Sequence, residues 1–321
     1  MKKLTLLLLA LLYVTLTYAY TERDLLQKQA DINRLKEILV LDRQWVTYPD
    51  YNDRAGWDRF LGTFKDEYIR RGEKRLNYQW QVVKATDYLA FERTGNRQIM
   101  EKPFGANNGA IADLLMAELA EGKGRFVDQL INGVFNACEM TSWALAAHII
   151  VQPSHRALPA YDYPVIDLTS GDLGGLLAWT YHFMRPSFDK VDPEISRRLR
   201  HELQTRILDP YMNNDSFWWM GRNYNGRMLN NWNPWCNSNA LMCFMLLEDN
   251  RDTLAKAVHL TMESVDKFLN YIKADGACEE GPSYWGHAAG KTLDYLELLS
   301  DITGDKVNIF NEPMIKNMGE Y

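Results

Sequence analysis

The sequence predicts an all-α fold, on three observations. Apolar residues recur every three or four positions in segment after segment, as a helix with one buried face requires, and they seldom alternate as in a strand. Gly and Pro are sparse, 20 and 11 among 321 residues, so long stretches run without a breaker. The links between periodic segments are short, which folds successive helices into antiparallel hairpins. Such hairpins build either a solenoid or a closed α/α toroid, and the lack of a tetratricopeptide- or ankyrin-like period weighs against the solenoid.

The chain opens with Lys2 and Lys3, an apolar run from Leu4 to Leu16 and small residues closing at Ala19, the layout of a cleavable secretory signal over residues 1–19. That run is shorter than the roughly 20 residues that span a bilayer, which favours cleavage over anchoring. The expected product is periplasmic or secreted, with no membrane partner after cleavage. Helical periodicity follows in residues 22–40, 57–71, 109–121, 125–136, 173–184, 193–208 and 293–302. It is clearest in residues 252–273, where Leu254, Val258, Thr261, Val265, Phe268 and Ile272 form one apolar face. Residues 80–83 are the best strand candidate.

Loss of the signal leaves 34 basic against 42 acidic side chains, a charge of −8. This argues against a nucleic-acid partner, which needs a concentrated basic face. An acidic polysaccharide or oligosaccharide remains open as a partner, because Arg, Asn and helix N-termini inside a cleft can hold it locally. Cys138, Cys236, Cys243 and Cys278 show no metal-ligand spacing and are expected to be buried thiols.

The chemistry concentrates late in the chain. Trp218, Trp219, Trp232 and Trp235 fall among asparagines and arginines, whereas core tryptophans sit among aliphatic residues. The pattern suits a carbohydrate groove, in which rings stack on sugars and amides bond to hydroxyls. A polar loop over a few tucked-in tryptophans is the plainer alternative. Asn233-Pro234 looks like an N-cap followed by Pro at the first helical position, opening a helix to about Glu248. A second helix begins near Asp249 or Asn250, Gly276 ends it, and Pro282 opens a third with Tyr284 in its first turn. If directions alternate, the first and third start at one end. Connectivity then gathers Asn230, Asn231, Glu279, Glu280 and Tyr284 into one mouth, with helix N-termini facing an approaching anion.

Two strings, Asn230-Asn-Trp-Asn-Pro-Trp-Cys-Asn-Ser-Asn239 and Asp275-Gly-Ala-Cys-Glu-Glu-Gly-Pro-Ser-Tyr-Trp-Gly286, resemble motifs of the heparinase II/III-like polysaccharide lyases. Cys138-Glu-Met-Thr-Ser-Trp143, followed by His148, resembles an earlier motif of that group, and the likeness covers about residues 75–305. The resemblance implies an incomplete (α/α) toroid followed by an antiparallel β-sandwich, acting on uronate-containing polysaccharides by β-elimination. Two departures matter. Related lyases carry Asn-His where this chain has Asn231-Trp232, and the β-sandwich, which in the family brings a further catalytic histidine and in some members a structural metal, has no counterpart in these residues. The chain is therefore expected to be a fragment, inactive if the β-domain is essential. No cofactor is expected within it.

Elimination begins with loss of the uronate C5 proton, which is feebly acidic until the neighbouring carboxylate is neutralised. The resemblance assigns that neutralisation to Asn231, with Asn230 equally well spaced, and proton transfer to Tyr284. Trp143, His148, Arg222, Trp232, Trp235, Glu280 and His287 complete the expected substrate-binding set. Each has a plain alternative: a core role for Trp143 and His148, a surface ion pair for Arg222, a structural histidine for His287. Two other functions compete. Glu279 or Glu280, paired with an acid such as Asp275, fits a glycoside hydrolase, although two carboxylates facing across a cleft are needed and these three share one loop. A glycan-binding protein without activity would show the same helices and aromatic loop.

Overall fold

A computed structural model describes residues 22–223, 228–278 and 280–320. The signal-like segment 1–19 and Glu279 lie outside the described residues. Within them the chain is all-helical, with no strand. No described helix is long and apolar enough to cross a membrane.

The helices are α1 (Ile32–Ile38), α2 (Arg54–Leu61), α3 (Lys65–Glu73), α4 (Ala85–Thr94), α5 (Gln98–Glu121), α6 (Val127–Glu139), α7 (Leu168–Val191), α8 (Pro193–Leu203), α9 (Asp209–Asn213), α10 (Trp232–Leu247), α11 (Arg251–Leu269), α12 (Trp285–Ile302) and α13 (Pro313–Glu320). Side-chain caps set several of the starts. Asp53 accepts from Gly56 N–H, Asp167 from Ser170 N–H and Asn250 from Thr253 N–H, each satisfying a donor that a helix leaves open.

Several expected elements change on folding. Residues 57–71 divide at Gly62, whose φ of +50° a helix cannot carry. In residues 22–40 only α1 is α-helical; the rest is turn and extended chain. Residues 80–83 form no strand, because Asn107 stands in for a strand partner. It accepts from Gln81 N–H at 3.0 Å and donates to Gln81 C=O at 2.8 Å. Gly133 makes room beside this segment, since a Cβ there would lie 2.4 Å from the Trp80 ring.

The core is built around α10. Thirteen of its 16 residues are buried, and it packs against α7, α11 and α12. A helix apolar all round belongs in an interior. Its approach to α7 depends on small residues: a Cβ on Gly171 would stand 3.2 Å from the Asn239 side chain, and one on Gly175 3.3 Å from Asn239 Oδ1. The N-terminal segment lies against the last hundred residues. Leu26 and Gln27 N–H donate to the buried Asp266 carboxylate on α11 at 3.0 and 2.9 Å, α1 packs on α11, and Val40 N–H donates to Ile302 C=O at 2.8 Å. Cys138, Cys236 and Cys243 are buried free thiols and Cys278 is buried; burial pushes Cys138 and Cys243 up to about 12.

Candidate functional site

Three helices begin at one end of the molecule. Trp235, in the first turn of α10, stacks on His287 in the first turn of α12, with centroids 4.8 Å apart and planes 13° apart. The Trp235 indole N–H donates to Asp172, early in α7, at 2.7 Å, and Asn239 donates to the same carboxylate oxygen at 2.8 Å. Pairs joining early residues to early residues make the three helices run in the same direction, with their N-terminal N–H groups at a common mouth. This places α10 and α12 as connectivity requires and adds α7.

The entry to α10 differs in detail from the sequence expectation. The helix starts at Trp232, with Asn231 at the N-cap position, so Asn233-Pro234 lies inside the first turn rather than opening it. Asn233 is buried, and its amide donates to Trp219 C=O at 2.7 Å and Ser264 C=O at 2.9 Å. Asn237 is buried too and donates to Asn233 C=O and the Ser264 hydroxyl, both at 2.8 Å. These amides of the aromatic motif join α10 to its neighbours; they are not free for a sugar.

Asn231 is 5 % exposed, and its side chain makes no capping bond. Its backbone N–H donates to the Glu280 carboxylate at 2.9 Å, which joins the α10 entry to the loop before α12. Asn230 turns inward, its side-chain oxygen accepting from Trp232 N–H at 3.1 Å. It also lines a cavity of about 200 Å³ with Glu280, Lys273 and Asp275. Pro282 opens a single 3-10 turn, so Tyr284 is the N-cap residue of α12 rather than part of its first turn. Its ring is 48 % exposed and meets His287 edge-on at 5.7 Å.

Trp232 carries a second set of rings. It packs at 5.4 Å from Trp218 and meets the His148 imidazole edge-on at 4.7 Å. His148 Nδ1 lies 2.6 Å from the fully buried Asp167 carboxylate, so Nδ1 carries the proton and Nε2 is left with its lone pair, 3.4 Å from the Arg97 guanidinium. A histidine therefore adjoins Trp232.

Other expected site residues sit elsewhere. Trp143 is 2 % exposed; its indole donates to Ala137 C=O at 2.8 Å and Arg206 covers its ring, a core position. Trp219 is likewise buried, bonded to Ile166 C=O at 3.0 Å, whereas Trp218, Trp232 and Trp235 are half-buried. Arg222 is held by Asp215 at 2.6 Å and by Tyr211 C=O at 3.3 Å, the ion-pair alternative. Sequence reasoning missed Asp167, Asp172 and Lys291, whose ammonium lies 5.7 Å from the Trp235 ring centroid. Asp167 had a signal, a capping box with Ser170 three residues on; Asp172 and Lys291 had none. Among the described residues no group of three His, Cys, Asp or Glu side chains is placed to hold a metal ion.

The mouth thus combines an amide, a phenol, two imidazoles and aromatic faces at converging helix N-termini, a setting that draws an anion and offers groups able to exchange a proton. No protein-family model matches the chain, and no curated protein matches it.

Proposed function

We propose that the protein is a polysaccharide lyase that cleaves a uronate-containing glycan by β-elimination, on helices arranged as an incomplete (α/α) toroid like that of the heparinase II/III-like family. One observation carries the reading: the Trp235–His287–Tyr284 ring contacts and the Asn231–Glu280 bond bring the two late motifs together where α7, α10 and α12 begin. The parallel direction of those three helices, and the docking of residues 22–40 on α11 and α12, support a ring of hairpins over an extended array.

In this mechanism the uronate carboxylate enters against the helix N-termini and Asn231, which stabilise the enolate formed when C5 loses its proton. Tyr284 exchanges the proton with C5 or with the departing glycosidic oxygen. The electron pair of the C5–H bond forms the C4–C5 double bond as the C4–O bond breaks, and the leaving oxygen takes up a proton. Neither water nor an oxidant is consumed.

The hydrolase reading is less well supported. Glu280 and Asp275 line one cavity but stand in the same loop, and each already accepts a backbone N–H, from Asn231 at 2.9 Å and from Ala277 at 3.0 Å, while Glu279 lies outside the described residues. The test is to incubate the whole gene product with uronate polymers and follow ultraviolet absorbance of a 4,5-unsaturated end. New reducing ends without that chromophore would establish hydrolysis instead, and binding without either product would leave a glycan-binding protein.

A further inference from the structure

The stretch from residue 274 to residue 285 carries Glu280 and Tyr284 to the mouth, and its two ends rest on neighbouring residues of α13. The Asn317 side-chain amide donates to Ala274 C=O at 2.7 Å, and the indole N–H of Trp285, the first residue of α12, donates to Met318 C=O at 3.0 Å. Met318 C=O is among the last four carbonyls of α13, which have no partner inside the helix, so the indole supplies a missing donor. Between these tethers the two backbones approach closely. Gly276 has a φ of +74°, and a Cβ on it would stand 2.3 Å from Met318 N and 2.7 Å from Asn317 C, so a side chain there would push the loop off α13.

α13 is itself anchored. Met314, Ile315 and Met318 are buried, and Arg23 joins the start of the helix to the end of α11, donating to Met314 Sδ at 3.0 Å and to Leu269 C=O at 2.6 Å. The span between the tethers meets α10 through the bond from Asn231 N–H to Glu280 at 2.9 Å. A loop fixed at both ends on a packed helix has little conformational freedom left to lose when it makes that bond, whereas a free loop would have to lose it each time. Trp285 follows Tyr284 directly in the chain, so its tether also fixes the backbone that carries the phenol.

We propose that α13 staples the base of the mouth loop, and that Trp285 is a positioning residue which acts through Met318 to hold Tyr284 and Glu280 where α10 and α12 begin. The consequence for proton transfer rests on the lyase reading; the staple stands by itself.

The experiment compares the whole protein with the combined variant Trp285→Phe and Asn317→Ala, which deletes both tethers and keeps an aromatic ring and the buried side chains of α13. Amide hydrogen exchange is followed at Asn231, whose N–H reports the bond to Glu280, and at Val258, buried in α11, as the control for the core. Exchange at Asn231 should rise about tenfold or more while Val258 stays protected. With a uronate polymer, kcat should fall about tenfold or more and KM should stay within about threefold, because a displacement on the order of 1 Å harms the reacting geometry more than the binding. Where the double variant also loses Val258 protection, Trp285→Phe alone, which removes one N–H, must show the change at Asn231. Parent-like exchange at Asn231 overturns the staple, and faster exchange with parent-like kcat overturns Trp285 as a positioning residue. Failure of the lyase reading would show differently, as a parent protein that forms no unsaturated product, and the exchange comparison would then decide the staple.

Discussion

Asp167 sets both the start of α7 and the orientation of His148, and Asp167→Asn separates the two. The fully buried carboxylate accepts from Ser170 N–H at 2.8 Å through Oδ1, and from Leu145 N–H at 3.0 Å and His148 Nδ1 at 2.6 Å through Oδ2. An asparagine keeps the helix cap with its one oxygen. Its NH₂ then replaces Oδ2 and meets two donors. The imidazole escapes by moving its proton to Nε2, so that Nδ1 accepts, but Leu145 N–H has no such recourse and stays unpaired, at about 1–3 kcal/mol. Exchanging a charge-assisted bond for a neutral one removes about 1 kcal/mol more. The expected loss is therefore about 2–4 kcal/mol, seen in urea unfolding as a lower midpoint with an unchanged slope. Nitrogen NMR of His148 should show the protonated position pass from Nδ1 to Nε2, and the bond from Arg97 to Nε2 should be lost. A stability change under about 0.5 kcal/mol, or an unmoved tautomer, would refute Asp167 as the group that holds His148.

Tyr284→Phe removes a half-exposed hydroxyl that has no hydrogen-bond partner among the described residues. Unfolding should change by less than about 0.5 kcal/mol, while turnover of a uronate polymer falls by about 10² or more with affinity retained; near-normal turnover would remove Tyr284 from the mechanism. Gly174→Val forces a branched side chain where even a Cβ would stand 2.9 Å from Ile207 Cγ1, so thermal or urea unfolding should register a loss of about 1–3 kcal/mol. An unchanged midpoint would mean that α7 has room to move. His182 is held below its ordinary value of 6.5 chiefly by burial, with Arg43 adding to the effect and Asp50 opposing it. The unfolded chain thus takes up the proton first, and stability drains as pH falls from 6.5 toward the lower folded value, with no contribution above 6.5. Between pH 7.5 and pH 5.5 the parent should lose more stability than His182→Gln, and parallel losses in the two proteins would contradict this.

The parts of the fold that could be read in the sequence were those with a local physical cause. Periodicity in residues 252–273 and the Asn250 cap placed α11, because an amphipathic stripe and a side-chain oxygen at the right spacing act within a few residues. The shared end of α10 and α12 followed from the alternation of short-linked helices. Residues 80–83 misled because their partner is a side chain 26 positions away, which no strand pattern encodes. Asn233-Pro234 misled for a related reason. The sequence shows a cap and a helix-starting proline, but the buried amide finds better acceptors on Trp219 and Ser264, so the helix begins two residues earlier. Toward the mouth, the sequence brought Asn231, Glu280, Tyr284 and His287 to one end but also offered Trp143 and Arg222, which sit elsewhere, and Asp172 and Lys291 became visible only when α7 and α12 were seen to flank Trp235.

The position of the mouth depends on how α10 is rotated, and its sequence leaves that rotation open. An amphipathic helix is oriented by its apolar stripe, but α10 is buried on every side, so hydrophobic burial gives little preference for one rotation over another. Polar bonds supply the choice. The Tyr211 hydroxyl donates to Asn237 Oδ1, and Asn233 and Asn237 both donate to Ser264 of α11. On another face Asn239 and Trp235 both donate to Asp172 of α7. Turning the helix by a single residue, about 100°, would strand the buried Tyr211, Asn233 and Asn237 groups at roughly 1–3 kcal/mol apiece and break the more exposed bonds to Asp172. Burial therefore keeps α10 in the interior, and the amides decide which way it faces. With that rotation fixed, Trp235 faces His287, Trp232 faces His148, and the Asn231 N–H meets the Glu280 carboxylate. Asn233, Asn237 and Asn239 thus act by orienting the rings beside them, through bonds to Ser264 and Asp172.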